Sequence, residues 1–296
     1  MNDIGWKNFH NLITYFDVDS VSYNPDLYVY KSLVRESIRK YNHALWPSFA
    51  LRTSYIYHLA IEKKIPLVVY GQNQAIEQVG KFSHRDVVEH SSWSRIEHDL
   101  FNIQEKYFIN TGSNFNQKDL YYYNFPGIDK LSRNKIRGLY LSNYFPWDPL
   151  KQNKTSVNKG FIPQKNYSTF DVYENAGNSI YYNFHDLSKL MRVGYRKIHD
   201  HVAREIRHKR ISIKDAHNVI KMYQDNKVYI KDFFEWLDVS TTGYQWFVSQ
   251  KLQKYKRLIS NEPISAVSKD SNIALLNNLH KGKNPSKHYV AFAKGI

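Results

Sequence analysis

The sequence predicts an α/β fold: a parallel sheet flanked by helices, followed by a helical C-terminal region. Three observations carry the prediction. The run Ile65-Pro66-Leu67-Val68-Val69-Tyr70-Gly71 is apolar and closes on a glycine, as a buried parallel strand does. The run Ile136-Arg137-Gly138-Leu139-Tyr140-Leu141-Ser142-Asn143-Tyr144 reads as a further strand of the same kind. Helical periodicities separate the candidate strands in the first part of the chain, and from residue 185 onward only helical patterns remain.

Taken in order, residues 17–23 alternate in the manner of a short strand, ended by the turn Asn24-Pro25. Pro25 opens a helix running to about residue 41, with Leu27, Tyr30, Leu33, Val34 and Ile38 on its buried side. A second helix over residues 49–63 leads into the strand that Gly71 closes. Ligands of open α/β sheets gather beyond the carboxyl ends of the strands, so Gly71, Gln72 and Asn73 form a candidate ligand loop. The amides of Gln72 and Asn73 can read a base or a sugar hydroxyl, or they can cap the next helix. Residues 91–101 read as a helix and residues 111–117 as a loop. The strand at 136–144 runs out in Phe145-Pro146-Trp147-Asp148, where Asp148 before Pro149 has the form of a helix N-cap. Helices follow at residues 185–208, 212–226, 229–237 and 242–258, with Ser212 and Asp215 making a start like a capping box. Residues 260–296 are polar, look helical only at 273–279, and are expected to be loosely attached. These patterns divide the chain into segments 1–180, 181–258 and 259–296.

The chain of 296 residues is 42% hydrophobic, enough for a proper core, and carries a formal net charge of +15, which attracts polyanions, phosphorylated metabolites or an acidic protein. Its 24 tyrosines suit sugar or nucleotide clefts and wet interfaces, and they equally reflect an AT-rich coding sequence. There is no cysteine, which excludes disulfides, thiolate metal sites and cysteine nucleophiles. No leader pattern or long apolar window is present, so a cytoplasmic protein without a transmembrane segment is expected.

The densest chemistry lies at residues 194–210. On a helix there, Asp200, Arg204 and Arg207 share one face, and His201, Glu205 and His208 line the adjacent one. Such a helix is either a solvated charged surface or one wall of an anion site, and the helix alone does not choose between them. His199, His201 and His208 lack the spacing of helical zinc pairs, so no metal site is assigned to them. The basic residues are scattered and no nucleic-acid-binding module is present, so nucleic acid is not expected as a partner.

Four segments in order resemble the N-acetyl sugar amidotransferases of bacterial surface-polysaccharide biosynthesis, relatives of the ATP pyrophosphatases. They are Leu45-Trp46-Pro47, the run from Lys64 to Gly71, the run from Gly138 to Asp148, and residues 194–210. The resemblance spans roughly residues 5–250. It implies an incomplete Rossmann-like sheet in residues 1–180 as a truncated nucleotide-binding domain, with substrate and anion binding in 181–258. It also implies a reaction of lipopolysaccharide O-antigen or flagellar glycan synthesis. A carboxylate or acetamido group of a nucleotide-linked or free sugar acid becomes an amide or amidine, with ATP and Mg²⁺ as cofactors. A carboxylate activated by adenylation gives ammonia a good leaving group to displace, so no protein nucleophile is needed.

On that resemblance Asp148, Asp200 and Arg204 take catalytic roles, with Asp148 and Asp200 as candidates for Mg²⁺. Gly71, Gln72 and Asn73 face the nucleotide. Asn143, Trp147, His201, Arg207 and Arg210 bind substrate, the arginines through charge-assisted bonds to phosphate or carboxylate. Without cysteine the chain cannot release ammonia from glutamine by the cysteine route, so a separate glutaminase subunit, and a synthase-like subunit beside it, are the implied partners.

The chain departs from the family in several places. The family's Ser-Gly-Gly-x-Asp-Ser loop, which wraps pyrophosphate, and its cysteine-bearing N-terminal segment are not among these residues, the cysteines flanking Trp46-Pro47 are replaced, the latter one by Ser48, and Gln72 stands where an acidic residue is usual. The loop is expected on a separate polypeptide. The alternative is a catalytically inactive, truncated paralogue acting as an interaction subunit.

Overall fold

The computed structural model describes residues 1–71, 80–81, 87–109, 115–164, 166, 168–174 and 181–264. Their contacts divide them into two units, Pro25–Trp147 and a second made of Met1–Asn24 with the chain from Asp148 onward.

In the first unit, helix α2 (Leu27–Tyr41) is capped by Asp26, whose side chain accepts from the Val29 amide. Helix α3 (Trp46–Lys63) has Pro47 in its first turn, where a missing N–H costs nothing, and ends on Lys64 in the left-handed region at φ 55°. Strand β1 (Leu67–Tyr70) follows directly. A short helix α4 (Ser92–Ser94), begun by Ser91, passes into one wide π turn over Arg95–Asp99, where a regular helix was expected. Helix α5 (Ile128–Arg133) then leads into strand β2 (Arg137–Tyr140), which pairs with β1 in parallel, Leu67 opposite Arg137 and Tyr70 opposite Tyr140. The far edge of β2 is covered by an antiparallel bridge between Glu89 and Leu139.

The predicted strand at 136–144 is therefore real but shorter, because a 3₁₀ turn takes over at Leu141–Asn143. Both strands pack on α3 and α5 through Tyr57, Ala60, Val68, Ile136 and Leu131. A parallel pair needs a crossover between its strands, and α5 closes the one found here. The expected incomplete parallel sheet is what the chain builds.

The second unit is helical. Helix α1 (Asp3–Phe16) is capped by Asn2 and held by its own asparagines: Asn8 exchanges bonds with Ile162 (2.7 and 3.0 Å), and Asn11 donates to the Gly160 carbonyl at 2.6 Å. The strand expected at residues 17–23 does not form. Asp17 turns the chain at φ 49°, and Val18 and Val21 stay exposed, since among the described residues no strand lies beside them to supply a ladder. Helix α6 (Pro149–Asn158) starts at Asp148, whose carboxylate caps the Leu150 and Lys151 amides, as its position before Pro149 predicted.

The helix expected at 185–208 is two helices, α7 (Tyr181–Val193) and α8 (Lys197–Arg207). Gly194 at φ 81° ends the first, a conformation that favours glycine. Helices α9 (Ile213–Tyr223), α10 (Lys231–Trp236) and α11 (Thr241–Lys251) complete the unit, with Ser212 and Ser240 as N-caps. A 3₁₀ turn over Gln253–Leu258 replaces the end of the last predicted helix. One core joins Phe170, Val172, Ile198, Val202, Ala216, Val219 and Tyr223, and a second is an aromatic stack in which Phe184 lies 5.0 Å from Phe233. The expected helix at 273–279 and most of the polar tail lie outside the described residues. No described helix is long and apolar enough to cross a membrane.

Gly138 is required by close approach. A Cβ built there would lie 1.8 Å from the Tyr57 hydroxyl, itself buried and bonded to His90 Nδ1 at 2.9 Å. Gly138→Ala is expected to destabilise the chain by about 1–3 kcal/mol through overpacking. Adding Tyr57→Leu should return part of that loss, measured by urea unfolding.

Candidate functional site

Moving a charge out of water costs several kcal/mol unless it meets a partner at hydrogen-bonding distance, so buried charges are informative. Helix α8 buries Lys197, Asp200, His201, Arg204 and Glu205 together with the apolar Ile198 and Val202. Four clusters, contributed by α7, α8, the segment 169–174 and Arg210, satisfy them.

The first fixes the start of α8. Asp186 on α7 accepts from Arg196 Nε and from the Lys197 backbone amide, both at 2.7 Å, and so caps the helix that Gly194 set off. Arg196 Nη1 donates further to the carbonyls of Gln224 (2.9 Å) and Asn226 (2.8 Å), tying α9 to the same point.

The second places Lys189 at 3.1 and 3.0 Å from the two oxygens of Asp200, with the Lys189 ammonium 3.5 Å from the centre of the Tyr195 ring. Lys197 bridges Asp200, at 4.0 Å, to Glu174, with which it makes a direct ion pair.

The third is a chain of hydrogen bonds in which Thr169 Oγ1 meets His201 Nδ1 at 2.5 Å and the other ring nitrogen meets Glu174.

The fourth alternates charge. Asp171 bonds Arg204 at 2.9 Å, Arg204 Nε bonds Glu205 at 2.8 Å, Glu205 accepts from Arg210 Nε at 2.5 Å, and Arg210 Nη1 reaches Asp148 at 2.9 Å.

The electrostatics follow from this alternation. Burial pushes the carboxyls of Asp171, Glu174 and Glu205 up, but Arg204, Lys197 and Arg210 beside them hold all three below the ordinary carboxylate range. Asp148 is likewise lowered, against its burial, by Arg210 and the Lys151 amide. Lys197 and Arg204 are raised by the same partners despite burial. Where burial wins, the neutral form is favoured. Lys189 falls to about 8, His185 lies well below its usual value, and His208 is pushed down to about 4 by burial with Arg210 next to it.

The structure thus brings together Asp148, Asp200, His201, Arg204 and Arg210 of the residues singled out from the sequence. It places them in a buried lattice rather than on a solvated face. Arg207 is half-buried beside them on α8. Gly71, Asn143 and Trp147 belong to the other unit. Gly71 follows β1, with no described atom within 4 Å of a Cβ built there, Asn143 donates to the Val88 carbonyl at 3.2 Å just beyond β2, and Trp147 is buried. Gln72 and Asn73 lie outside the described residues.

Sequence reasoning missed Asp171, Glu174, Asp186, Lys189, Arg196 and Lys197. Asp171 and Glu174 stand in a segment without periodicity. The one available signal was Asp186 and Lys189 at i, i+3 on a helix otherwise rich in apolar residues.

The carboxylates expected to carry Mg²⁺ are both committed, Asp148 to Arg210 and two backbone amides, and Asp200 to Lys189 and Lys197. They fit the metal poorly. Among the described residues no cluster of His, Asp and Glu has the form of a metal site.

Fold and site define a helical unit organised by one helix whose charges are matched in its interior. Residues 164–269, which contain every member of the lattice except Asp148, match the family model for the C-terminal domain of LPS biosynthesis protein WbpG-like proteins. The match bears out the resemblance to a lipopolysaccharide-biosynthesis family and supports a role for the chain in that process. No curated protein matches the chain.

Arg204→Met leaves Asp171 buried without its arginine and Glu205 with Arg210 alone, and should cost about 3–5 kcal/mol, against less than about 1 kcal/mol for Arg207→Met, both read by chemical denaturation.

A second outcome concerns acid. With the His208 pKa near 4 in the folded chain and about 6.5 unfolded, the unfolded state takes its proton first. This contribution to stability is complete above pH 6.5 and drains away between pH 6.5 and 4. The melting temperature should fall across that window, and less steeply in His208→Gln.

Proposed function

We propose that the chain is an ATP-dependent amidotransferase-type subunit of lipopolysaccharide or flagellar glycan synthesis. In this reading it converts a carboxylate or acetamido group of a nucleotide-linked or free sugar acid to an amide or amidine, using ammonia from a separate glutaminase. The observation that carries the reading is the match of residues 164–269, which falls on the region where Arg204, Arg210, Lys189 and Lys197 are held in fixed positions. Preorganised cations favour a bound anion because little is spent on ordering them. Arg207, outside the most deeply buried part of the lattice, is the arginine assigned to the substrate anion. Asp171, Glu205 and Asp148 act as positioning residues for Arg204 and Arg210. ATP and Mg²⁺ enter through the family resemblance. Gly71, at the carboxyl end of β1, is the described residue assigned to the nucleotide. Because Asp148 and Asp200 fit Mg²⁺ poorly, no step is routed through the metal.

One observation favours a second reading, an inactive paralogue that serves as an interaction subunit. The donors of Arg204 and Arg210 named above are spent on the protein's own carboxylates.

Calorimetric titration with ATP·Mg²⁺ and a UDP- or CMP-linked sugar acid, with and without a glutaminase, tests the catalytic reading. Saturable binding of both is expected, and no heat from either ligand in either setting ends it. Arg207→Ala then discriminates between the readings. Amidated glycan in cells should fall at least about tenfold if Arg207 holds the substrate anion, and stay unchanged if the chain only binds partners.

A further inference from the structure

Three consecutive backbone carbonyls in the first unit are each fixed by a side chain. Ser54 Oγ donates to Tyr122, Arg95 Nη2 to Tyr123 at 2.7 Å, and His58 Nε2 to Asn124 at 2.9 Å. Leu120 and Tyr123 anchor the segment from beneath, at 0% and 2% exposure. Above this rigid base Tyr121 and Tyr122 stand 49% and 36% exposed. Their rings meet with centres 5.1 Å apart at 73°, forming two walls of a corner. His58 extends it, 4.8 Å from Tyr121 and 5.4 Å from Tyr122, and Tyr55 lies 5.3 Å from Tyr122. His58 is held below its ordinary pKa by burial, with Lys130 and Arg95 adding to the effect, so it presents an aromatic ring rather than a cation.

We infer that the corner of Tyr121 and Tyr122, backed by His58 and Tyr55, binds the pyranose ring of a sugar. The axial C–H face of a pyranose is apolar and packs on aromatic rings, while its rim of hydroxyls needs polar groups, which the tyrosine hydroxyls provide. Because the backbone is pinned, the rings are ordered before the ligand arrives, which lowers the entropy cost of a weak contact. The choice of a sugar over other flat ligands rests on the proposed role in glycan synthesis. The shelf belongs to the unit Pro25–Trp147, and the lattice around α8 to the other.

Saturation-transfer NMR of the whole chain with D-galacturonic acid and with N-acetyl-D-galactosamine tests this. Transfer should be strongest to the axial ring protons of both sugars. Tyr121→Ala/Tyr122→Ala should raise both dissociation constants about tenfold, while the paired Phe variants stay within about twofold of wild type. No transfer to the wild-type chain, or binding unchanged in the Ala pair, overturns the site. Neither ATP nor a glutaminase is needed, so failure of the amidotransferase reading leaves this result interpretable.

Discussion

Desolvation of the charges on α8 is the constraint on which the second unit depends. A helix that buries Lys197, Asp200, His201, Arg204 and Glu205 is stable only where each finds a counter-charge or a hydrogen bond. That requirement dictates where Asp171 and Glu174 go, why α7 must end at Gly194, and why Arg210 folds back on Glu205 and Asp148. Asp186 serves the helix twice, as ion partner of Arg196 and as acceptor for the first amide of α8. Apolar side chains on the same helix, Ile198 and Val202, join Phe170, Val219 and Tyr223, so lattice and core are built from one element. Such coupling makes the arrangement directional: apolar packing alone tolerates small rotations of α8, whereas alternating ion pairs do not.

The same solution recurs in the other unit on a smaller scale. Arg95, on the π turn after α4, is almost fully buried and bonds Glu105, Thr53 Oγ1 at 2.9 Å and the Tyr123 carbonyl. It draws together α3, the 3₁₀ turn at Glu105–Phe108 and the tyrosine-rich segment at 120–123. The two-stranded sheet is too short to stand by itself, and its stability comes from Tyr57, Ala60 and Leu131 packing beneath it. Gly138 allows that packing because only a missing Cβ leaves room for the Tyr57 hydroxyl.

For function, the consequence is a separation of charge roles. The lattice pairs its lysines and arginines with carboxylates, so much of the formal excess of +15 belongs to side chains outside it. Those charges attract polyanions, a long-range and salt-sensitive effect. The lattice supplies what the surface cannot, cations held in one geometry against the flexibility of their own side chains.

The sequence by itself determined the fold class, most helix starts and the pairing-competent strands. Those depend on local chemistry: Ser212 and Asp148 as caps, Gly71 and Gly138 in apolar runs, and a 3.6-residue period through the last third. It also showed the charged face of α8 and the family resemblance of that segment. Only the tertiary structure decided which way the face points. The strand expected at 17–23 failed because alternation cannot create a neighbour to pair with, and the long helix at 185–208 broke because Gly194 had freedom that periodicity does not register. The partners of Arg204 and Arg210 stand 33 and 62 residues away in the chain, at Asp171 and Asp148. No local pattern encodes a pairing over that distance, since burial, and not spacing, makes the pairing necessary.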